Sequence, residues 1–331
     1  MHLFQRGSTK AGMHMKIAQL RGPREFVVVD EPRPVVGADE VLLRGAACGV
    51  CTSELDVWEG RSAGIEYPRY PGHEVSGTVE EAGSMVSNIQ IGDRVGAWVL
   101  ERGFAEYVVV KAEYCFPAGE LPLDLVLAEP LACAVNSVEL AQISLGDDVV
   151  VIGAGFMGNL VQKLAALRGP RHLIVADVRE DGLKRAAALG ATAVVNVATE
   201  SLAQRVKDLT GGKGADVSFE VTGAQAALQM LGDVTRMSGK VAIVGFHHGG
   251  MRQINLAYWN WMAFHILNAH FREISTILRG MEIGMRLLVS GKLSLENLVT
   301  HRYSLDEINQ AFQTACDKPT GFVKSTVIIS M

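Results

Sequence analysis

Residues 147–158, DDVVVIGAGFMG, constrain this chain more than any other stretch. A continuous apolar run enters Gly153-Ala154-Gly155-Phe156-Met157-Gly158, and a helical pattern follows at once. That order is strand, tight turn, helix, the opening of a right-handed βαβ unit. The G-x-G-x-x-G spacing alone is weak, because glycine-rich turns match it by chance; its place between strand and helix gives it weight. There Gly153 permits the turn, Gly155 lets the backbone approach a pyrophosphate, and Gly158 lets the helix pack closely on the strand. The helix N-terminus then receives the phosphates.

Asp177 ends the next apolar strand, 19 residues after Gly158. A carboxylate at that point accepts hydrogen bonds from a ribose 2′-OH, which favours NAD. A 2′-phosphate would meet like charge at Asp177, with Arg179 nearby leaving some tolerance for NADP.

The alternation continues. Helical patterns over 156–167, 180–189, 202–209 and a last one ending at Met237 alternate with HLIVAD, AVVNV, DVSFEVTG and KVAIVGF. Those strands are continuous Val/Ile runs, as expected of a parallel sheet covered on both faces. Before this region, residues 15–120 read as short strands broken by Gly, Pro and Asp, and a helix-compatible segment over 125–142 joins the two halves. A chain of 331 residues supports about two domains. The boundaries expected are a disordered or non-native prefix (1–14), a mostly-β catalytic domain (15–135), a Rossmann-type, doubly wound parallel-sheet domain (136–271) and a tail (272–331) returning to the catalytic domain.

A formal charge of −5, with no Lys/Arg run interleaved with aromatics, argues against nucleic acid as a partner. No apolar stretch approaches a membrane span. Five cysteines, an odd number in a long chain, argue for reduced thiols and a cytoplasmic location rather than a disulfide framework.

Cys48-Gly-Val-Cys51 has a spacing that suits a structural zinc or a redox pair, yet no second C-x-x-C exists to supply four cysteine ligands. His73-Glu74 offers an imidazole and a carboxylate at a turn, and Glu129-Pro130 another carboxylate at a helix entry. Taken singly, each is more often an ordinary core, surface or helix-entry residue. Donors of N, S and O type from separate loops are, as a set, what an open catalytic zinc site uses.

The strings CGVCTSELDVW, PGHEVSGTVEEAG, GDRV, EPLACAV, VVVIGAGFMG, IVADV and FEVTG, in this order, resemble the zinc-dependent medium-chain dehydrogenase/reductase family, nearest its polyol-dehydrogenase-like members. The resemblance runs from about Met15 to the C-terminus. It implies a GroES-like catalytic domain, and zinc held by Cys51, His73, Glu74 and Glu129, the carboxylates binding directly or through water. Cys48 becomes a buried small residue, and Ser53 the hydroxyl that starts proton removal. Thr222, Gly245 and Phe246 match segments that line the dinucleotide, although each also reads as a strand-end turn.

Two departures matter. Many relatives carry a His five residues after the cysteine ligand, where this chain has Asp56, left to contact substrate hydroxyls or to face solvent. The four-cysteine lobe that binds a structural zinc in relatives is missing after GDRV, so one catalytic zinc and no structural zinc are expected.

The activity implied is reversible oxidation of a secondary alcohol, polyol or sugar-derived, with NAD taking the hydride, by a homo-oligomer of two or four chains. The alternatives are a zinc-free quinone or enone reductase of the same superfamily, and a non-catalytic cofactor-binding protein. Thr52, Trp58, Phe104 and residues 246–264 are expected to shape the substrate pocket. His247, His248, His265 and His270 lack the i, i+4 pairing with an acid that a second metal site would show. Tyr258, Trp259, Trp261 and Phe264 read as packing residues, a cleft lining or a subunit interface.

Overall fold

The computed structural model describes residues 13–61 and 64–330. The expected prefix lies outside them apart from Met13 and His14, and His14 already opens the strand His14–Gly22, paired antiparallel with Glu25–Pro32.

The dinucleotide motif sits in a six-stranded sheet ordered Ala193–Asn196, His172–Asp177, Asp148–Ile152, Ala215–Glu220, Thr235–Ile243, His265–Asn268, parallel throughout. The chain enters at Asp148–Ile152, winds to one edge, then crosses to the other, the doubly wound arrangement expected. Strand alternation feeds two cores. Val149 and Val151 join Leu160 and Leu164 of the helix Phe156–Ala166 on one face, while Val150 and Ile152 meet Val206 and Leu231 on the other. Both faces are dry, which is why the strand carries no polar alternation.

One boundary differs from the sequence expectation. The helix read as far as Met237 is Gln225–Val234, and Thr235 already starts the next strand. Thr235 is β-branched, and its hydroxyl is fixed by Ser218 Oγ (2.9 Å) and the Leu231 carbonyl (2.6 Å), so side-chain bonding and pairing with Ala215 override local helix tendency.

The other half holds a seven-stranded sheet. His301–Ser304, Ser325–Ile328, Glu40–Gly49, Glu74–Ala82, Arg94–Trp98 and Cys115–Pro117 lie side by side, with Tyr107–Lys111 also pairing to Glu40–Gly49. The C-terminal strand Ser325–Ile328 runs antiparallel to Glu40–Gly49, so the tail is built into the N-terminal sheet. The helix Ile308–Asp317 packs Phe312 against Phe26, Trp58 and Phe104. Trp58 and Phe104, expected in the substrate pocket, are 2% and 0% exposed and belong to this aromatic core instead. Their size and shape fill the gap between helix and sheet, where burial of an aromatic contributes about 2–3 kcal/mol.

Candidate active site

Cys51 ends the extended segment after Glu40–Gly49 and caps a short helix, Thr52–Trp58. The cap is reciprocal: the Cys51 sulfur accepts from the third helical N–H, and Glu54 Oε2 accepts from the Cys51 N–H at 3.4 Å. The other oxygen of Glu54 accepts from the Gly72 N–H at 2.6 Å and lies 3.0 Å from His73 Nδ1. One buried carboxylate therefore aims both the thiol and the imidazole. With Nδ1 turned to Glu54, Nε2 of His73 is left for a metal, the usual division for a ligating histidine.

Glu74 opens the next strand, Glu74–Ala82, and is buried. The Cys51 sulfur, a His73 ring nitrogen and a Glu74 oxygen all lie within 4.8 Å of one another. Burial disfavours a charged His73, but the Glu54 and Cys51 charges outweigh it and hold the imidazole well above its ordinary pKa. The buried Lys324 is likewise held above its ordinary value against desolvation, mainly by Glu74 and then Cys51. This pocket attracts positive charge, and its soft sulfur, borderline nitrogen and hard oxygen suit Zn²⁺.

Glu129 stands one step back. It lies in the helix Ala128–Ala141, outside the three-donor cluster, and accepts a long contact from Cys133 Sγ at 3.6 Å. Burial pushes its carboxyl above the usual range, with the His73 charge opposing and the Glu74 charge adding. Cys48 is fully buried and its thiol is pushed well up, chiefly by that burial. It pairs in the sheet with Val75, behind the cluster.

Ser53 is exposed on the first turn of the helix, its hydroxyl 3.2 Å from the Cys51 sulfur. Asp56, expected to meet substrate or solvent, is only 6% exposed. Its Oδ1 accepts from Arg61 Nε (3.2 Å) and Nη2 (2.8 Å), while Oδ2 lies 2.6 Å from His248 Nδ1. The arginine five residues on and a histidine from the other domain supply the solvation that water does not.

At the dinucleotide turn, Gly153 has φ +118° and a Cβ on Gly158 would lie 1.8 Å from the Gly153 carbonyl, so both positions exclude side chains. A Cβ on Gly155 would meet nothing, leaving open space over the N-terminus of Phe156–Ala166. Asn159, fully buried, ties the turn by donating to the Ala154 (2.8 Å) and Gly155 (2.7 Å) carbonyls. Phe156 is buried in the core beneath the turn, and Met157, half-buried, packs against the same core. Asp177 Oδ2 accepts from the Ala154 N–H at 2.6 Å, and Oδ1 from the Arg179 N–H at 2.9 Å. The Arg179 guanidinium turns away, to Asp181 (2.5 and 3.1 Å) and the Phe322 carbonyl (3.3 Å). Thr222 is held by Glu220, whose Oε1 accepts from its N–H (2.6 Å) and hydroxyl (2.5 Å). Gly245 packs so closely on Gly223 that a Cβ would lie 2.2 Å from its nitrogen, and Phe246 is half-exposed beyond it.

Comparison with known proteins supplies the last observation. Residues 37–122 match the alcohol dehydrogenase GroES-like domain, and residues 157–281 the zinc-binding dehydrogenase domain. The L-threonine 3-dehydrogenase of Pyrococcus abyssi is 31% identical over 90% of this chain and 94% of that protein. The chain belongs to the zinc-dependent medium-chain dehydrogenase/reductase family. The sorbitol dehydrogenase of Bacillus subtilis is 27% identical over 91% of this chain and 94% of that protein. The crystal structure of 2R,3R-butanediol dehydrogenase from Bacillus subtilis aligns with TM-score 0.84 at 25% identity, covering 96% of this chain and all of that one. As a member of this family, the chain is an oxidoreductase of the alcohol/polyol dehydrogenase type that uses a pyridine nucleotide.

Sequence reasoning missed Glu54, Lys324 and Asn159, and weighed His248 only as part of a second metal site. Glu54 had a signal in the Cys-x-x-Glu spacing ahead of an apolar stretch, a capping-box pattern with sulfur in place of a hydroxyl. Lys324 had none, because its partner is 250 positions away.

Proposed function

We propose that this enzyme oxidises secondary alcohols, polyol or sugar-derived, to ketones with NAD⁺, and reduces the ketones with NADH. The carrying observation is the convergence of Cys51, His73 and Glu74 within 4.8 Å, at the foot of a helix that presents the Ser53 hydroxyl. These three residues would hold one zinc ion per chain, and Glu129, whose carboxyl feels the His73 and Glu74 charges, would bind it directly or through water. Zinc supplies Lewis acidity that lowers the pKa of an alcohol and polarises a carbonyl.

The protein's own groups do the rest. Glu54 orients the imidazole and the thiol. Ser53 takes the hydroxyl proton of the substrate. The turn 153–158 binds the pyrophosphate at the helix N-terminus, and Asp177 accepts the ribose hydroxyls. NAD rather than NADP is favoured because Arg179, the one cation beside Asp177 in sequence, spends its guanidinium on Asp181 and a carbonyl. One zinc rather than two follows from the absent four-cysteine lobe.

The enzyme is also read as a homo-oligomer. The edge strand His265–Asn268 has no partner on its outer side among the described residues, and Leu256, Trp261 and Ile266 beside it are exposed.

The deciding experiment is metal analysis with a panel of sorbitol, butane-2,3-diol, L-threonine and simple alcohols, following NADH. About one zinc per chain and oxidation of at least one secondary alcohol are expected. Full activity in a zinc-free preparation would remove this mechanism and favour the quinone or enone reductase reading.

A further inference from the structure

Oxidising an alcohol by hydride loss leaves one proton to remove, and a serine hydroxyl cannot keep it at neutral pH. We propose that His248 receives this proton from Ser53 and delivers it to solvent, held in place by Asp56 across the cleft between the two domains. The inference rests on the alcohol-oxidising reading above.

Asp56 lies three residues after Ser53 on the helix Thr52–Trp58, a spacing that puts two side chains on one helix face. His248 comes from the other domain, just beyond the carboxyl end of Thr235–Ile243, where parallel sheets of this kind bind their ligands. Asp56 Oδ2 and His248 Nδ1 make an ion-pair contact of 2.6 Å, which leaves the other ring nitrogen, Nε2, for a proton. Nε2 has no hydrogen-bond partner among the described residues. The ring stacks on Phe246 at 5.5 Å, and the side chain is 40% exposed, so one imidazole meets both cleft and water.

The charged groups around the pair are few. Arg61 shares Asp56, and Arg252 binds the His248 carbonyl at 2.6 Å. The adjacent His247 is spent: Nε2 meets Glu220 at 2.7 Å and Nδ1 accepts from Arg252 at 3.3 Å. Of the two neighbours, only His248 has a nitrogen to offer.

In the step, the substrate O–H bond breaks and Ser53 Oγ takes that proton while passing its own, through a bridging water, to His248 Nε2. The carbon loses hydride, with its electron pair, to the nicotinamide. The imidazolium then gives its proton to water, leaving ketone, reduced nicotinamide and one proton. Asp56 is a positioning residue in this scheme, acting through the imidazole.

The test uses the zinc-loaded full chain with NAD⁺ and, as probes, butane-2,3-diol, sorbitol and L-threonine. His248→Ala is expected to lower kcat by about 100-fold at neutral pH, with zinc content and the KM for NAD⁺ unchanged, and added imidazole to restore much of it. Asp56→Asn is expected to shift the pH profile of kcat. Independently of activity, nitrogen NMR of the histidines should show His248 as the Nδ1–H tautomer in the wild type and lose that preference in Asp56→Asn. A His248→Ala or His248→Gln enzyme with the wild-type pH profile and no response to imidazole overturns the relay, as does an Nε2–H tautomer. A wild type that oxidises none of the probes sinks the alcohol reading and the relay together; an active wild type with unaffected variants sinks the relay alone.

Discussion

Lys324 Nζ lies 2.7 Å from the carboxylate of Glu74, and both side chains are buried. The same ammonium sits 4.8 Å from the centre of the Phe156 ring, at the start of the dinucleotide-binding helix. One cation thus joins the metal cluster to the cofactor turn. Breaking a buried ion pair by removing one member leaves an uncompensated charge, at a cost of about 3–5 kcal/mol. Lys324→Met is expected to lose that much in urea unfolding, and Lys324→Arg considerably less. Equal stability of wild type and Lys324→Met would show that the pair contributes little.

The two cysteines of the C-x-x-C segment should separate cleanly. Cys51→Ser is expected to lose zinc and activity, because the sulfur is one of three converging donors. Cys48→Ser is expected to keep both, with at most a modest loss of stability from placing a hydroxyl at a fully buried site. Mass-spectrometric zinc analysis of the two proteins decides, and the reverse pattern would assign the ligand to Cys48.

Cofactor choice should follow Asp177. A 2′-phosphate brought beside this carboxylate meets about 3–4 kcal/mol of repulsion at the effective dielectric of a protein surface. The kcat/KM for NADP⁺ is therefore expected to fall roughly 100-fold or more below that for NAD⁺. Asp177→Ser should narrow the gap; steady-state kinetics with both cofactors measures it.

Acid sensitivity should have a component at the ribose end of the site. Burial raises the Asp181 carboxyl, but the Arg179 guanidinium and the Gly321 N–H outweigh it and lower the group to about 2. A depressed carboxylate contributes fully above its unfolded value of about 3.9 and loses that contribution as pH falls toward the folded one. Urea stability is expected to drop between about pH 4 and 2, and Asp181→Asn to flatten that part of the curve. An unchanged slope in the variant would place acid unfolding elsewhere.

Light scattering on the eluted protein is expected to give a dimer or tetramer. Ile266→Lys, on the exposed edge strand, should shift it toward monomer with little change in secondary structure. A wild-type monomer would refute the oligomeric reading.

The sequence by itself determined the parallel sheet, since Val/Ile runs separated by helical periods of glycine-terminated turns have few other ways to bury both faces. It also marked Gly153, Gly155, Gly158 and Asp177, because strand, turn and helix are contiguous there and local spacing carries the chemistry. Cys51 and His73-Glu74 were legible as a set of donor types, and their family order supplied what spacing could not. What tertiary structure alone decided are relationships across long sequence separations. Glu54 orienting His73, Lys324 neutralising Glu74, and His248 meeting Asp56 each depend on how sheets and loops are brought together. A charged side chain is written the same way in sequence whether it is solvated or buried; only its neighbours set its partner. That is why Asp56, readable as a free acid, is a buried bridge between domains, and why Trp58 and Phe104, readable as pocket walls, are core.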